Sequence, residues 1–189
     1  MTLHKTFPLQ PGGAAAEFAP FLGDQAGLRI ADRTSWPRFG VKGLGSADWF
    51  DGLGITLPRP NVLAERTDMT VLRLGQNDIT VLAMGKSSTG LSQLRESWLA
   101  AAGQMGYSSW RDEAWAWLHL DGPALDDVLA GCCAVDLRLA HFAPDRIAQT
   151  RFAHVDAVVL RRESGMDLLF DISASGAVLK TIREVADHA

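Results

Sequence analysis

A chain of 189 residues is long enough for one compact domain or two small lobes and too short for a large multidomain enzyme. Its composition, 47% hydrophobic and 21% charged, is that of a globular protein that can bury a core, which argues against intrinsic disorder. With a formal net charge of -4 and 18 Lys and Arg residues scattered along the chain, it shows no basic footprint, so nucleic acid and acidic lipid are not expected partners.

Residues 1–25 read as an N-terminal arm. Pro8, Pro11, Gly12, Gly13 and Pro20 interrupt an Ala-rich stretch, leaving room for at most a short helix at Ala14 to Phe18. Met1 to Pro11 lacks the apolar core of a secretion signal, and no run reaches the ~18 apolar residues of a membrane helix, so no membrane association is expected. The only two cysteines, Cys132 and Cys133, are adjacent. A disulfide framework is therefore not expected, in keeping with the cytoplasm.

A first lobe is expected over residues 26–106. Leu28 to Ile30 and Phe39 to Val41 look extended, and Gly45-Ser46 opens a short helix carrying Trp49, Phe50 and Leu53, closed by Gly54. A Pro58, Pro60, Asn61 linker leads to two β-type runs, Met69 to Leu74 and Ile79 to Met84, around Gly75-Gln76-Asn77. Leu91, Leu94, Trp98, Leu99 and Ala102 then share one helical face, with Ser and Thr before it and Gly103 after.

The second lobe, residues 107–189, repeats that order. Ala114 to Leu120 reads as a strand, and Gly122-Pro123 opens a helix with Leu125, Val128 and Leu129, closed by Gly131. Ile147 to Phe152 and Val155 to Arg161 pair across Ala153-His154, Met166 to Ile172 gives a third strand, and Val178, Leu179, Ile182, Val185 and Ala186 form an amphipathic helix. The repetition predicts an α+β protein of two related lobes, each a mainly antiparallel sheet with flanking helices, joined near Gly103 to Trp110. Trp98, Leu99, Val128, Leu129, Val158, Leu160, Leu169, Leu179 and Ile182 are the expected core.

No catalytic constellation stands out. Gly43-Leu44-Gly45 resembles the start of a dinucleotide fingerprint, but Asp48 at the third glycine position would set a carboxylate beside a pyrophosphate. Gly85-Lys86-Ser87 resembles the end of a P-loop whose first glycine is replaced by Thr80, and a polar turn capping the next helix explains it better. Neighbouring Cys132 and Cys133 lack zinc-ligand spacing, and a nucleophilic cysteine with His119 or His141 competes with a small buried hydrophobe. His119, between Leu118 and Leu120, either faces solvent or is a satisfied core group. Gln149-Thr150-Arg151 is the most suggestive polar cluster: alternation sends Gln149 and Arg151 to one side, where an arginine and an amide can receive a carboxylate. The structural alternative is an ion pair of Arg151 with Asp136 or Asp171. Six tryptophans against one tyrosine exceed routine core needs, so Trp36, Trp49 and Trp110, together with the arm, are candidates for a partner surface, with core packing the alternative for each.

Several stretches in order carry a family resemblance. They are Arg38-Phe39-Gly40-Val41-Lys42-Gly43 with Ala47-Asp48-Trp49, Leu57-Pro58 to Pro60-Asn61, Val71-Leu72-Arg73-Leu74-Gly75, Leu120-Asp121-Gly122-Pro123, Asp136-Leu137 ahead of Phe142, and Ala148-Gln149-Thr150-Arg151. Together they resemble the gamma-subunit family of heterotetrameric sarcosine oxidases and related N-methyl amino-acid dehydrogenases. The resemblance implies a fold like the folate-binding lobes of aminomethyltransferase. It also implies a non-catalytic chain that supports assembly with alpha, beta and delta subunits, where the partners hold NAD, FMN, FAD and tetrahydrofolate and this chain holds no cofactor or metal. A stand-alone folate-binding or one-carbon-transfer protein is the alternative. Against it, the K-G-C-Y-x-G-Q signature of iron-sulfur relatives is missing, and Gly131-Cys132-Cys133 is no match for it.

Overall fold

The computed structural model describes residues 7–9, 21–25, 27–101, 106–109 and 111–189. The helix expected at residues 14–18, Ala102, Gly103 and Trp110 lie outside the described residues. In chain order, strands β1 (Phe21–Gln25), β2 (Leu28–Asp32) and β3 (Arg38–Lys42) lead into helix α1 (Ser46–Gly52). Strands β4 (Val62–Glu65), β5 (Met69–Gly75) and β6 (Asp78–Ala83) then lead into α2 (Thr89–Ala100). Strand β7 (Tyr107–Ser108) and one helical turn, α3 (Arg111–Ala114), precede β8 (Trp115–Asp121) and α4 (Leu125–Cys132). Finally β9 (Ile147–Phe152), β10 (Val155–Arg162) and β11 (Gly165–Asp171) run through a short 3-10 turn into α5 (Ser175–Ala186). Among the described residues no helix is long and apolar enough to cross a membrane.

Two compact units result. One is Trp36–Glu113; the other joins Ala114–Ala189 to the described residues up to Ser35. Each holds one antiparallel sheet, of strand order β4-β5-β6-β3-β7 in the first and β1-β2-β8-β11-β10-β9 in the second. The fold is thus α+β, with two antiparallel sheets and flanking helices, as the sequence predicts. The expected repetition is also visible in the connectivity. Strand, helix, three strands, helix occurs as β3-α1-β4-β5-β6-α2 and again as β8-α4-β9-β10-β11-α5, and the four strands take the same lateral order in both sheets.

The unit boundaries differ from those expected at 26–106 and 107–189. Strand β2 does not join the sheet of β3 but pairs antiparallel with β8, Arg29 opposite Asp121 and Asp32 opposite Leu118. Residues 107–113 go the other way, since β7 pairs with β3. Part of the arm is also structured, because Phe21–Gln25 is the strand that pairs with β2 at the sheet edge. Gly122 makes the β2–β8 approach possible: its φ is 123°, and a β-carbon there would fall 2.2 Å from the carbonyl oxygen of Gly27.

Local signals act where the sequence places them, with two exceptions. Ser88 caps α2 by accepting from the Leu91 amide at 2.9 Å, and Asp68 accepts from both the Ser88 hydroxyl (2.7 Å) and the Gly90 amide (3.1 Å). These hydrogen bonds hold the Asp68 carboxyl below its ordinary range. Gly54 closes α1 at φ 70°. Gly131, by contrast, does not stop α4, which runs on to Cys132; a β-carbon at Gly131 would lie 2.6 Å from Val185 Cγ1 of α5, so the glycine serves helix contact. Leu99, expected in the core, is 63% exposed, because the buried stripe of α2 is only Leu91, Leu94 and Trp98 wide. The other expected core positions are buried.

In the first unit α1 and α2 cover one sheet face, and Trp49, Phe50 and Trp98 pack with Phe39, Val41, Val71, Ile79 and Val81. Trp49 is therefore a core residue and not a partner-surface residue. Its ring meets that of Trp98 edge-on at 4.9 Å and that of Phe50 at 5.0 Å. In the second unit α4 and α5 cover the face of Leu28, Ile30, Leu118, Leu120, Phe152, Val159, Leu168 and Phe170. Alternation sends Trp115, Trp117, His119, Asp167, Leu169, Val158, Gln149 and Arg151 to the opposite, helix-free face.

Candidate functional site

That helix-free face carries a connected network of buried and half-buried polar side chains. Strand β11 reads Met166-Asp167-Leu168-Leu169-Phe170, and Asp167 is a lone carboxylate in an apolar run, 1% exposed. A buried carboxylate must find donors. Asp167 Oδ1 accepts from Trp117 Nε1 at 3.0 Å, from His119 Nδ1 at 2.9 Å and from Arg33 Nη1 at 3.0 Å, while Oδ2 accepts from Arg162 Nε at 3.1 Å. Pairing creates this meeting. His119 of β8 lies directly opposite Asp167, Arg162 ends β10, and Arg33 follows β2.

The segment after β2 is laid across β8 by its own bonds. The Arg33 amide donates to the Trp117 carbonyl at 2.7 Å, and the Trp117 amide donates to the Thr34 hydroxyl at 3.0 Å. The Arg33 guanidinium also sits 5.9 Å from the Trp117 ring centre, a cation–π contact. On the outer side, His119 Nε2 is 3.6 Å from Asp121 Oδ2, and Asp121 pairs with Arg29.

Burial alone would raise the Asp167 pKa. It is outweighed by the hydrogen bond from His119 and the charges of Arg33 and Arg162, which bring it down to about 2. Burial likewise pulls Arg33 below its ordinary value, with Asp167 opposing. Asp167 is thus a fixed anion whose two oxygens are occupied by donors, which suits it to hold side chains in place rather than to carry a proton.

Farther along the same strands, Trp115, Gln149, Arg151, Asp156, Val158 and Leu169 of this face, with Thr150, Ala157 and Phe170 between them in the strands, line an open hollow of about 580 Å³. Gln149 and Arg151 share this hollow, as alternation predicts. The ion pair considered for Arg151 is not made with the two expected acids. Asp136 pairs instead with Arg138 at 2.6 Å, and Asp171 accepts from the amide and hydroxyl of Ser173. Arg151 Nη2 donates to the His154 carbonyl at 2.6 Å.

The remaining candidates are placed elsewhere. Trp36 is half-buried. Gly43 and Gly45 form the turn into α1 with φ 105° and 82°, and Gly85 to Ser88 precede α2. Burial pushes the Cys132 thiol up to about 11, which leaves almost no thiolate near neutral pH, and His119 and His141 lie beside Asp167 and Asp136. Among the described residues no group of three His, Cys, Asp or Glu is placed to hold a metal ion. Sequence reasoning missed Arg33, Asp167 and Arg162. The one available signal was the acid inside an apolar strand.

No family model and no curated protein matches the sequence. Solved structures do match it in shape. The chain is similar to a chain of the heterotetrameric sarcosine oxidase from Corynebacterium sp. U-96, solved in complex with pyrrole 2-carboxylate. The TM-score is 0.74 and the identity 19%, over 95% of this chain and 94% of that one. It is also similar to the glycine cleavage system aminomethyltransferase T from Bartonella henselae, with a TM-score of 0.60 and 14% identity, over 84% of this chain and 46% of that one. The chain has an aminomethyltransferase-like fold. It spans about half the length of the aminomethyltransferase and nearly all of the oxidase chain.

Proposed function

We propose that this chain is the gamma subunit of a heterotetrameric sarcosine oxidase or related N-methyl amino-acid dehydrogenase. In this reading it is a non-catalytic member that supports assembly in the cytoplasm with alpha, beta and delta subunits, which carry NAD, FMN, FAD and tetrahydrofolate. The observation that supports this reading is reciprocal coverage. The match to the oxidase chain extends over 95% of one and 94% of the other, so a whole subunit of similar length is matched. A stand-alone folate-binding or one-carbon-transfer protein is the second reading; the aminomethyltransferase likeness favours it, although only 46% of that enzyme is spanned. Fold alone fixes neither. Trp36 and Trp110 remain the tryptophans proposed for the partner surface, with Trp49 assigned to the core.

The test is co-purification from the native host under mild conditions, followed by identification of the bound chains and their absorbance. Recovery with larger chains that bring flavin absorbance and oxidise sarcosine is the expected result. A chain recovered alone that binds tetrahydrofolate would favour the second reading and overturn the first.

A further inference from the structure

The hollow between β8, β9, β10 and β11 brings an apolar side chain, an indole and two opposite charges to one place. Its volume of about 580 Å³ falls in the range of small-molecule sites. Val158, 7% exposed, is the apolar side chain at the floor with Leu169 wholly buried beside it, and Trp115 lines the hollow as well. At the other side Arg151 lies directly opposite Asp156 across the β9–β10 pair, both exposed. Directly opposed residues have their β-carbons only about 5 Å apart, so a basic and an acidic side chain rise from neighbouring positions at this edge of the hollow.

The arginine is also held in place. Its Nη2 donates to the His154 carbonyl at 2.6 Å, within a turn where Ala153 and His154 both adopt left-handed backbone, φ 47° and 69°. Residues with side chains rarely accept that conformation, and hairpin turns of this kind favour Asn and Gly. The two-residue turn between β9 and β10 needs this backbone at both positions, and it fixes the carbonyl that holds Arg151. The remaining guanidinium N–H groups keep the fork geometry that suits a carboxylate.

We propose that this hollow binds a free α-amino acid with an apolar side chain. The ligand carboxylate pairs with Arg151, its ammonium with Asp156, and its side chain lies over Val158 against Trp115. A simple anion would meet repulsion from Asp156 and a simple cation repulsion from Arg151; a zwitterion satisfies both. The proposal stands on the hollow's own geometry and does not depend on the oxidase reading.

The test titrates the purified full chain with L-leucine, following the Trp115 indole N–H resonance, assigned with Trp115→Phe, and the binding heat. Two analogues separate the charges: 4-methylpentanoate lacks the ammonium and 3-methylbutylamine lacks the carboxylate. Leucine should bind saturably in the low millimolar range and each analogue about tenfold more weakly, ~1.4 kcal/mol. Arg151→Gln and Asp156→Asn should each weaken leucine by about the same factor, and Asp156→Asn should at the same time improve binding of 4-methylpentanoate by removing the repulsion. Both positions are exposed, so melting should not change; if a variant failed to fold, the two analogues on the wild-type chain would still decide. Absence of a saturable shift, an analogue that binds as tightly as leucine, or folded variants that bind as the wild type does would overturn the proposal.

Discussion

Asp167→Asn should destabilise the second unit strongly and in a pH-dependent way. The folded pKa of about 2 lies nearly two units below an ordinary aspartate, which corresponds to about 2 kcal/mol of preference for the ionised form at neutral pH. Asparagine keeps the shape but removes the charge, leaving Arg33 and Arg162 facing an amide in a site where the native side chain is 2% exposed. Breaking a buried pair from one side costs about 3–5 kcal/mol. A loss of about 3 kcal/mol at pH 7 is expected, or roughly 6–12 °C in the melting temperature of a chain of this length. The sign with pH follows from the depressed pKa. The stabilisation is fully present above the unfolded value near pH 4 and is lost as pH falls through the folded value near 2. Thermal or urea unfolding of both proteins between pH 7 and pH 2.5 should therefore show a wide gap at neutral pH that narrows below about pH 4. Equal stability at pH 7, or a gap unchanged in acid, would refute the claim that Asp167 is an ionised anchor.

Three further substitutions probe the rest of the architecture. Trp49→Ala should cost about 3–5 kcal/mol and flatten the near-ultraviolet circular dichroism, because the ring packs edge-on against Trp98; an unchanged melting temperature would return Trp49 to the surface. Gly122→Ala should cost clearly more than Gly54→Ala. Both glycines have positive φ, worth about 1–2 kcal/mol against alanine, but only at Gly122 would the new β-carbon fall 2.2 Å from a carbonyl oxygen, and equal urea midpoints would contradict this. Asp78→Asn should cost about 1–2 kcal/mol, less than Asp167→Asn, since Asp78 is 18% exposed and pairs with Arg111 at 2.5 Å and Lys42 at 3.4 Å; the reverse order in a denaturant titration would sink the comparison.

What could be read from the sequence was what is local. The Ser88 cap, the Gly54 stop, the β5–β6 hairpin and the β9–β10 pair across Ala153-His154 each depend on a few adjacent residues, and each stands where the pattern puts it. Partner choice does not leave such a mark. Nothing in Leu28 to Ile30 says that its neighbour is β8 rather than β3, because a half-buried strand satisfies its alternation against either. Strands β4 and β7 are too short for any period to show, and Gly131 looks like a helix stop until α5 is seen against it. The same division runs through the site. Gln149 and Arg151 were legible from alternation alone, whereas Asp156 and Trp115 join them only once the register of β10 and β8 is known. The donors of Asp167 come from the segment after β2 and from β8 and β10, so the acid could be noticed in its apolar strand but its partners could not.

The repeated connectivity extends to individual charges. In both units the strand that follows the last hairpin turn carries a carboxylate near its start on the helix-free face, and in both that carboxylate faces a basic side chain on the first strand of the repeat. Asp78 lies opposite Lys42 of β3, and Asp167 opposite His119 of β8. Each also takes an arginine from just beyond the strand added outside the shared four: Arg111 follows β7, and Arg33 follows β2. The two copies differ in depth. Asp78 keeps 18% of its side chain in solvent and pairs with the two cations, Lys42 and Arg111. Asp167 keeps 2%, and it has Trp117 and Arg162 as well. Water left at the first carboxylate does part of the solvation that side chains must do at the second, so the number of protein donors follows burial. One scaffold position is thereby a modest surface pair in one copy and a buried anchor in the other. The deeper copy ties β2, a strand from outside the repeat, into the sheet that carries the Arg151 hollow.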